Sequence, residues 1–307
     1  MLTEPQASGA LWDALPHYRP PAEPSSLAEA QAWCEHLARD HYENFSVATW
    51  FLPKRLRPHF YSVYAYCRVS DDLGDEVADK RQALHLLDAW NAELDSTYEG
   101  RPHHPVFVAL AETIRACDIP KQPFADLLKA FRQDQFVSRY ETFDDLLRYC
   151  QYSANPVGRL VLYVCGYGDP ERQQLSDYTC TALQLANFWQ DVAADHAKGR
   201  IYLPCEDLRN FRVSEDNIAD RRATAEFRDL MRFQVSRARE WFERGLPLAR
   251  KVDRELALDI ELFTRGGQGI LDAIERQQYD VLTRRPALSR SRKLALVARA
   301  AMRKVIA

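Results

Sequence analysis

Apolar side chains recur at three- and four-residue intervals through nearly the whole of this 307-residue chain. That spacing is the mark of helices that each bury one face. The strict alternation of half-buried strands, bounded by hairpin turns, is absent. The spacing predicts helices over 27–41, 54–78, 80–98, 104–117, 123–138, 143–166, 171–196, 219–251, 253–281 and 288–305. Start signals support three of them: Ser26 before "LAEAQAW", Pro53 before "KRLRPHF" and Pro123 before "FADLLKAF". Breakers fall between the helices, in "GRPHHP", "GYGDP" and "RRPALS". No repeat of roughly 20–50 residues is present, and no low-complexity linker divides the middle. The expectation is an all-α chain, with an N-terminal arm over 1–26 and one helical domain over 27–307. Five of the sixteen prolines crowd into the first 26 residues, which makes the arm partly extended. It lacks the charged start and apolar run of a signal peptide.

Composition excludes more than it identifies. With 46% hydrophobic residues the chain can fill a sizeable core, and 41 basic against 44 acidic residues give no case for nucleic-acid binding. No apolar run reaches the roughly 18–20 residues of a spanning helix. The seven cysteines are odd in number and show no C-x-x-C spacing, so neither a disulfide framework nor a zinc site is indicated. A reducing cytoplasm is the expected location. The last stretch, "SRSRKLALVARAAMRKVI", is basic and amphipathic, and would suit peripheral contact with an anionic membrane face as well as packing on the domain.

Two acidic ridges carry the chemistry. In "YAYCRVSDDLGDE" the residues Tyr64, Arg68, Asp72 and Asp75 follow a helical stripe, and Asp71 stands four before Asp75. These carboxylates close a helix whose start is aromatic and nearly uncharged, where the helix dipole disfavours them. Gly74 adds about 1 kcal/mol of helix penalty. In "LQLANFWQDVAADHAKGRIYLP" the residues Gln184, Asn187, Asp191 and Asp195 share one face, again at the end of an apolar helix. Two D-x-x-x-D helices of this kind can hold Mg²⁺, which takes oxygen ligands and usually shares them with substrate phosphate. Such a site suits ionisation of a diphosphate ester, with Arg68 pairing with its oxygens. Asp72 lies off the 71/75 pair, so its loss is expected to be milder.

At these residues the chain resembles the squalene/phytoene synthase family, from about His41 to about Leu294. "HYENFSVATWFLPKRLRPHFYSVYAYCRVSDDLGDE", "RYETFDDLLRYCQYSANPVG" and "LQLANFWQDVAADHAKGRIYLP" carry the resemblance. It implies the isoprenoid-synthase helical fold with a central cavity, an isoprenoid diphosphate substrate and Mg²⁺ as cofactor. It implies Asp71 and Asp75 as Mg²⁺ ligands on one wall, and Asn187, Asp191 and Asp195 on the other. Arg68 and Arg200 would hold diphosphate, with Gln184 beside them. Phe45, Tyr64 and Tyr149 would line the cavity, where aromatic faces stabilise carbocations. Ala154, Val157 and Gly158 would leave room for the isoprenoid chain.

The departures from the family pattern point further. Gln190 stands where arginine is common, Ala194 where glutamate is common, and Gly267 in "RGGQGILDAIE" where a tyrosine is often found. This combination resembles the hydroxysqualene-synthase branch of the hopanoid pathway. That branch adds water to ionised presqualene diphosphate, needs no NADPH, and works alongside other squalene-pathway enzymes. Losing the arginine and glutamate would weaken a condensing site, and Gly267 would open space for water. Condensation of two farnesyl or geranylgeranyl diphosphates is the nearest alternative. A helical binding protein without catalysis is the other, and the presence of all four motif aspartates speaks against it.

Overall fold

The computed structural model describes residues 11–40, 53–289, 292 and 295. Among these residues there are helices and no strands, in the order α1 (Leu27–Asp40), α2 (Arg57–Asp75), α3 (Lys80–Tyr98), α4 (Pro105–Cys117), α5 (Gln122–Gln133), α6 (Phe143–Ser153), α7 (Asn155–Val164), α8 (Pro170–Ala197), α9 (Cys205–Asn210), α10 (Glu215–Ala219), α11 (Ala225–Gly245) and α12 (Arg254–Arg276). The caps explain the boundaries. Asp79 accepts from the Gln82 amide at 2.8 Å to start α3, and Thr142 and Asp145 form a reciprocal capping box on α6. Asp169 caps α8 with Pro170 at its first position, and Thr224 caps α11.

Contacts divide the chain into two compact units. The first comprises 1–136 and 159–168. Its described helices pack around α2, which touches α1, α3, α4 and α5. The core there is aromatic: Tyr66, Trp90, Phe107 and Phe124 are fully buried, with Trp90 and Phe107 centroids 4.5 Å apart, edge to face. Their polar ends are satisfied, since the Tyr66 hydroxyl donates to the Phe124 carbonyl at 2.8 Å and the Trp90 indole donates to Ser70 Oγ at 2.9 Å. Residues 12–14 and 16–18 are two 3₁₀ turns rather than an extended arm, and they bury Trp12, Leu15 and Tyr18 in this core. Proline spacing favours short turns as readily as extension, and the aromatic side chains decide the matter.

The second unit comprises 137–158 and 169–307. Here α8 is the central helix, packed on α6, α10, α11 and α12. It is approached closely at two glycines. A Cβ on Gly245 would lie 2.2 Å from Thr179 Oγ1 and 3.0 Å from the Thr179 backbone nitrogen, and one on Gly158 would lie 2.3 Å from Ser176 Oγ. The expected helix over 143–166 is broken at Ala154. Pro156 lacks an N–H and restricts Asn155, while the Asn155 side chain accepts from the Thr181 hydroxyl at 2.9 Å. None of the seven cysteines is in a disulfide; Cys34 in the first unit and Cys150 in the second are fully buried. No helix among the described residues is long and apolar enough to cross a membrane.

Candidate functional site

The first ridge occupies the last three turns of α2, and its carboxylates separate by burial. Asp71 is half-exposed and Asp75 exposed, whereas Asp72 is only 4% exposed. Asp72 therefore does not share an open stripe with its neighbours. It accepts the Tyr18 hydroxyl at 2.5 Å and grips Arg68 at two points, Nε to Oδ2 at 3.0 Å and Nη2 to Oδ1 at 2.5 Å. The third guanidinium nitrogen, Nη1, stands 3.9 Å from Asp71 Oδ2. Burial works against the charge on Arg68, but Asp72 and then Asp71 outweigh it and raise its pKa above the ordinary value. Tyr64, one turn back, is half-buried, and desolvation holds its hydroxyl protonated. A cavity of about 610 Å³ opens on the Arg68–Asp72 pair, lined also by Leu15, Tyr18, Trp33 and Glu76. Gly74 has a packing reason: a Cβ there would meet Phe131 Cβ at 3.4 Å, and its carbonyl accepts from Gln135 at 2.8 Å.

The second ridge ends α8. Asn187 is exposed, while Gln184, Asp191 and Asp195 are partly buried. A cation already stands on Asp191. Arg285 Nε donates to its Oδ1 and Nη2 to its Oδ2 at 2.9 Å, and this pairing raises the arginine's pKa. Gln190, which is 7% exposed, fastens the segment that carries Arg285. Its Nε2 donates to the Pro286 carbonyl at 2.6 Å, and its Oε1 accepts from Arg285 at 3.2 Å. With glutamine at 190, a guanidinium nevertheless stands beside Asp191, supplied by Arg285. Ala194 is exposed. The path to Arg285 begins with a sharp turn at Gln278 and Tyr279, both with positive φ (53° and 62°). Asp280 then steadies it by accepting from the Leu282 and Thr283 amides at 3.2 and 3.1 Å.

An aromatic group lies in the same unit. Gly199, at φ 79°, ends α8 in the left-handed conformation, and the Arg200 amide returns to the Asp195 carbonyl at 2.9 Å. Ile201 and Cys205 bond to the 138–141 segment. Tyr202 is thereby laid flat on Phe188, centroids 3.8 Å apart, with buried Tyr149 at 6.0 Å. Of the residues expected to make room for a chain, Ala154 is buried and Val157 is 38% exposed. Gly158 faces Ser176 and Cys180 and serves helix packing instead. Phe45 lies outside the described residues, as does the predicted C-terminal helix apart from residues 288, 289, 292 and 295.

Gly267 also departs from expectation. It does not open space for water: a Cβ there would lie 2.4 Å from Phe242 Cζ and 2.8 Å from Leu183 Cδ2. The glycine admits the Phe242 ring of α11, which is fully buried. Gly267→Tyr is therefore expected to destabilise the fold by about 3 kcal/mol, the upper part of the overpacking range. Chemical denaturation checks this; an unchanged midpoint would mean that the ring has somewhere to go.

The donors fit a hard divalent cation. Asp71, Asp75, Asn187, Asp191 and Asp195 supply oxygen, the ligand type that Mg²⁺ takes. Within the described residues no cluster of three or more His, Cys, Asp or Glu is assembled for a metal, and Asp191 is already engaged through both oxygens by Arg285. Arg285, Tyr18 and Tyr202 are absent from the residues that sequence spacing singles out. The first two make their key contacts 94 and 54 positions away, and only "GRIYLP" hinted at the third.

The family model for squalene/phytoene synthase matches residues 38–292. The crystal structure of squalene synthase HpnC from Alicyclobacillus acidocaldarius is 48% identical, with a TM-score of 0.80, covering 82% of this chain and 95% of that one. 15-cis-phytoene synthase of Synechocystis sp. is 31% identical over 96% of this chain and 90% of its own length. Phytoene synthase 3 of Zea mays is 31% identical over 89% of this chain, which spans 66% of the maize protein. With both acid motifs inside the matched segment, the chain belongs to the squalene/phytoene synthase family of enzymes.

Proposed function

We propose that the protein ionises presqualene diphosphate in the presence of Mg²⁺ and captures water, releasing hydroxysqualene and diphosphate. The observation that supports the ionisation is the pairing of a carboxylate with a guanidinium group on each ridge: Arg68 beside Asp71 and Arg285 on Asp191. Carboxylates bind the cation and guanidinium groups bind the anion of a metal–diphosphate. Asp71, Asp75, Asn187, Asp191 and Asp195 would hold Mg²⁺, which would neutralise charge developing on the leaving group. Arg68 orients the diphosphate, with Arg200 as a second contact. The C–O bond breaks with its electron pair leaving on diphosphate. Tyr64 and Tyr149 would supply π faces to stabilise the carbocation. Water then forms the new C–O bond and gives its proton to solvent.

The choice of water over a second isoprenoid is supported by Ala194, which leaves the second ridge without the family's further carboxylate. The identity of 48% to squalene synthase HpnC, against 31% to the phytoene synthases, also favours the squalene side of the family. Product analysis tests it. Purified protein with Mg²⁺ and no NADPH is expected to convert presqualene diphosphate to hydroxysqualene. Turnover of farnesyl diphosphate alone to squalene or phytoene would replace hydration by condensation. That second reading is favoured by the relatives described as phytoene synthases. Contact with a membrane surface and with other enzymes of the squalene pathway belongs to the same proposal.

A further inference from the structure

We propose that Tyr18 is a positioning residue for Arg68, so that the N-terminal turns are part of the diphosphate-binding apparatus; this rests on the diphosphate role given to Arg68 above. An Arg–Asp pair four apart on an open helix face is loose, because both side chains retain rotamer freedom. Here the pair is tightened from outside the helix. Asp72 is buried, and its Oδ2 accepts from both the Tyr18 hydroxyl at 2.5 Å and Arg68 Nε at 3.0 Å. The carboxylate cannot turn without breaking one of these bonds. Arg68 is consequently held by Nε and Nη2, with Nη1 directed to the side of Asp71.

Tyr18 is itself anchored. Its carbonyl accepts from His104 Nε2 at 3.1 Å, and His104 Nδ1 accepts the Val106 amide at 3.1 Å. The second bond requires Nδ1 to be unprotonated, so the neutral ring must carry its proton on Nε2, the atom facing Tyr18. Burial keeps the ring neutral, with its pKa pushed down to about 4. The Tyr18 ring is 2% exposed and packs beside Trp33. Burial, and then Asp72, raise its hydroxyl pKa, so it remains a donor. A chain of contacts thus runs from the start of α4 through His104, Tyr18 and Asp72 to the guanidinium.

Removing the hydroxyl releases Asp72 Oδ2 to turn toward Arg68, and the guanidinium is drawn inward from Asp71. Tyr18→Phe keeps the ring and is expected to weaken binding of Mg²⁺–pyrophosphate about tenfold, the worth of one hydrogen bond to a charged group. Isothermal titration calorimetry on the full chain measures this, with inorganic pyrophosphate and Mg²⁺ as the probe. The deciding comparison is the double-mutant cycle with Arg68→Lys, which retains a cation but not the two-point grip. If Tyr18 acts through Arg68, Tyr18→Phe adds less than about twofold in the Arg68→Lys background. An equal loss in both backgrounds would make Tyr18 a general structural residue and overturn the proposal, as would wild-type affinity in Tyr18→Phe. Unchanged affinity in Arg68→Lys alone would overturn the diphosphate role of Arg68 itself, a failure told apart by that single variant. Asp72→Asn, which weakens the acceptor of both the Tyr18 hydroxyl and Arg68, is expected to follow Tyr18→Phe; wild-type affinity there would also overturn the proposal.

Discussion

Asp191→Asn and, separately, Asp71→Asn are expected to lower turnover about a thousandfold while leaving helical content unchanged. A metal ligand in a site of this kind supports several kcal/mol of charge stabilisation in the transition state, and about 4 kcal/mol corresponds to three orders of magnitude in rate. Neither change should unfold the chain. Asp71 has a side chain 49% exposed, and its pairing with Arg68 is at the long limit of an ion pair. Asp191 is more enclosed, but the Arg285 that meets it is 57% exposed, so solvent screens most of what the pair contributes. Asparagine also keeps one oxygen for that guanidinium. Steady-state release of diphosphate, measured beside far-ultraviolet circular dichroism, separates loss of chemistry from loss of fold. Turnover near wild type in either variant would remove that aspartate from the metal site.

Asp72→Ala is expected to act on stability, lowering it by about 3 kcal/mol, the low end for breaking a buried charge pair by removing one partner. The substitution leaves the Arg68 guanidinium without its two-point acceptor and the buried Tyr18 hydroxyl without its own. Asp71→Ala, one residue away but half-exposed, should fall within about 0.5 kcal/mol of wild type, as surface changes do. Urea denaturation of the two variants side by side gives the comparison. Equal midpoints would mean that Asp72 is solvated in solution and that Tyr18 does not reach it. Two neighbouring aspartates that look interchangeable in the sequence thus do different work: Asp71 is half-exposed, whereas Asp72 is buried and holds Tyr18 and Arg68.

The helices were legible because the chemistry that ends them is local. Asp79, Pro105 and Asp169 mark their starts within a residue or so of the predicted positions, and apolar periodicity fills the interval. Where periodicity continued across a break, as from Leu146 through Leu160, the sequence reads as one helix, and only Pro156 hints otherwise. Helix α9, six residues long, is too short to show any period. The acid ridges were legible for the same local reason, since D-x-x-x-D needs one helix face and nothing else. What spacing could not supply are partners distant in the chain. Tyr18 reads as part of a proline-rich arm until Asp72 is seen beneath it, and Arg285 sits in a segment marked only as a breaker. Gly267 is the opposite case. A missing side chain reads as vacant space on paper, but close packing lets a neighbouring ring into the gap.

The two fully buried thiols give the chain a pair of chemical clocks. Only a thiolate is alkylated at a useful rate, and burial pushes Cys34 up to about 12 and Cys150 higher still. Neither can react until its surroundings open. Because Cys34 belongs to one compact unit and Cys150 to the other, the time each takes to be labelled reports the breathing of its own unit. Metal, diphosphate or a lipid substrate can then be assigned to the unit whose clock it slows, with no probe added to the protein.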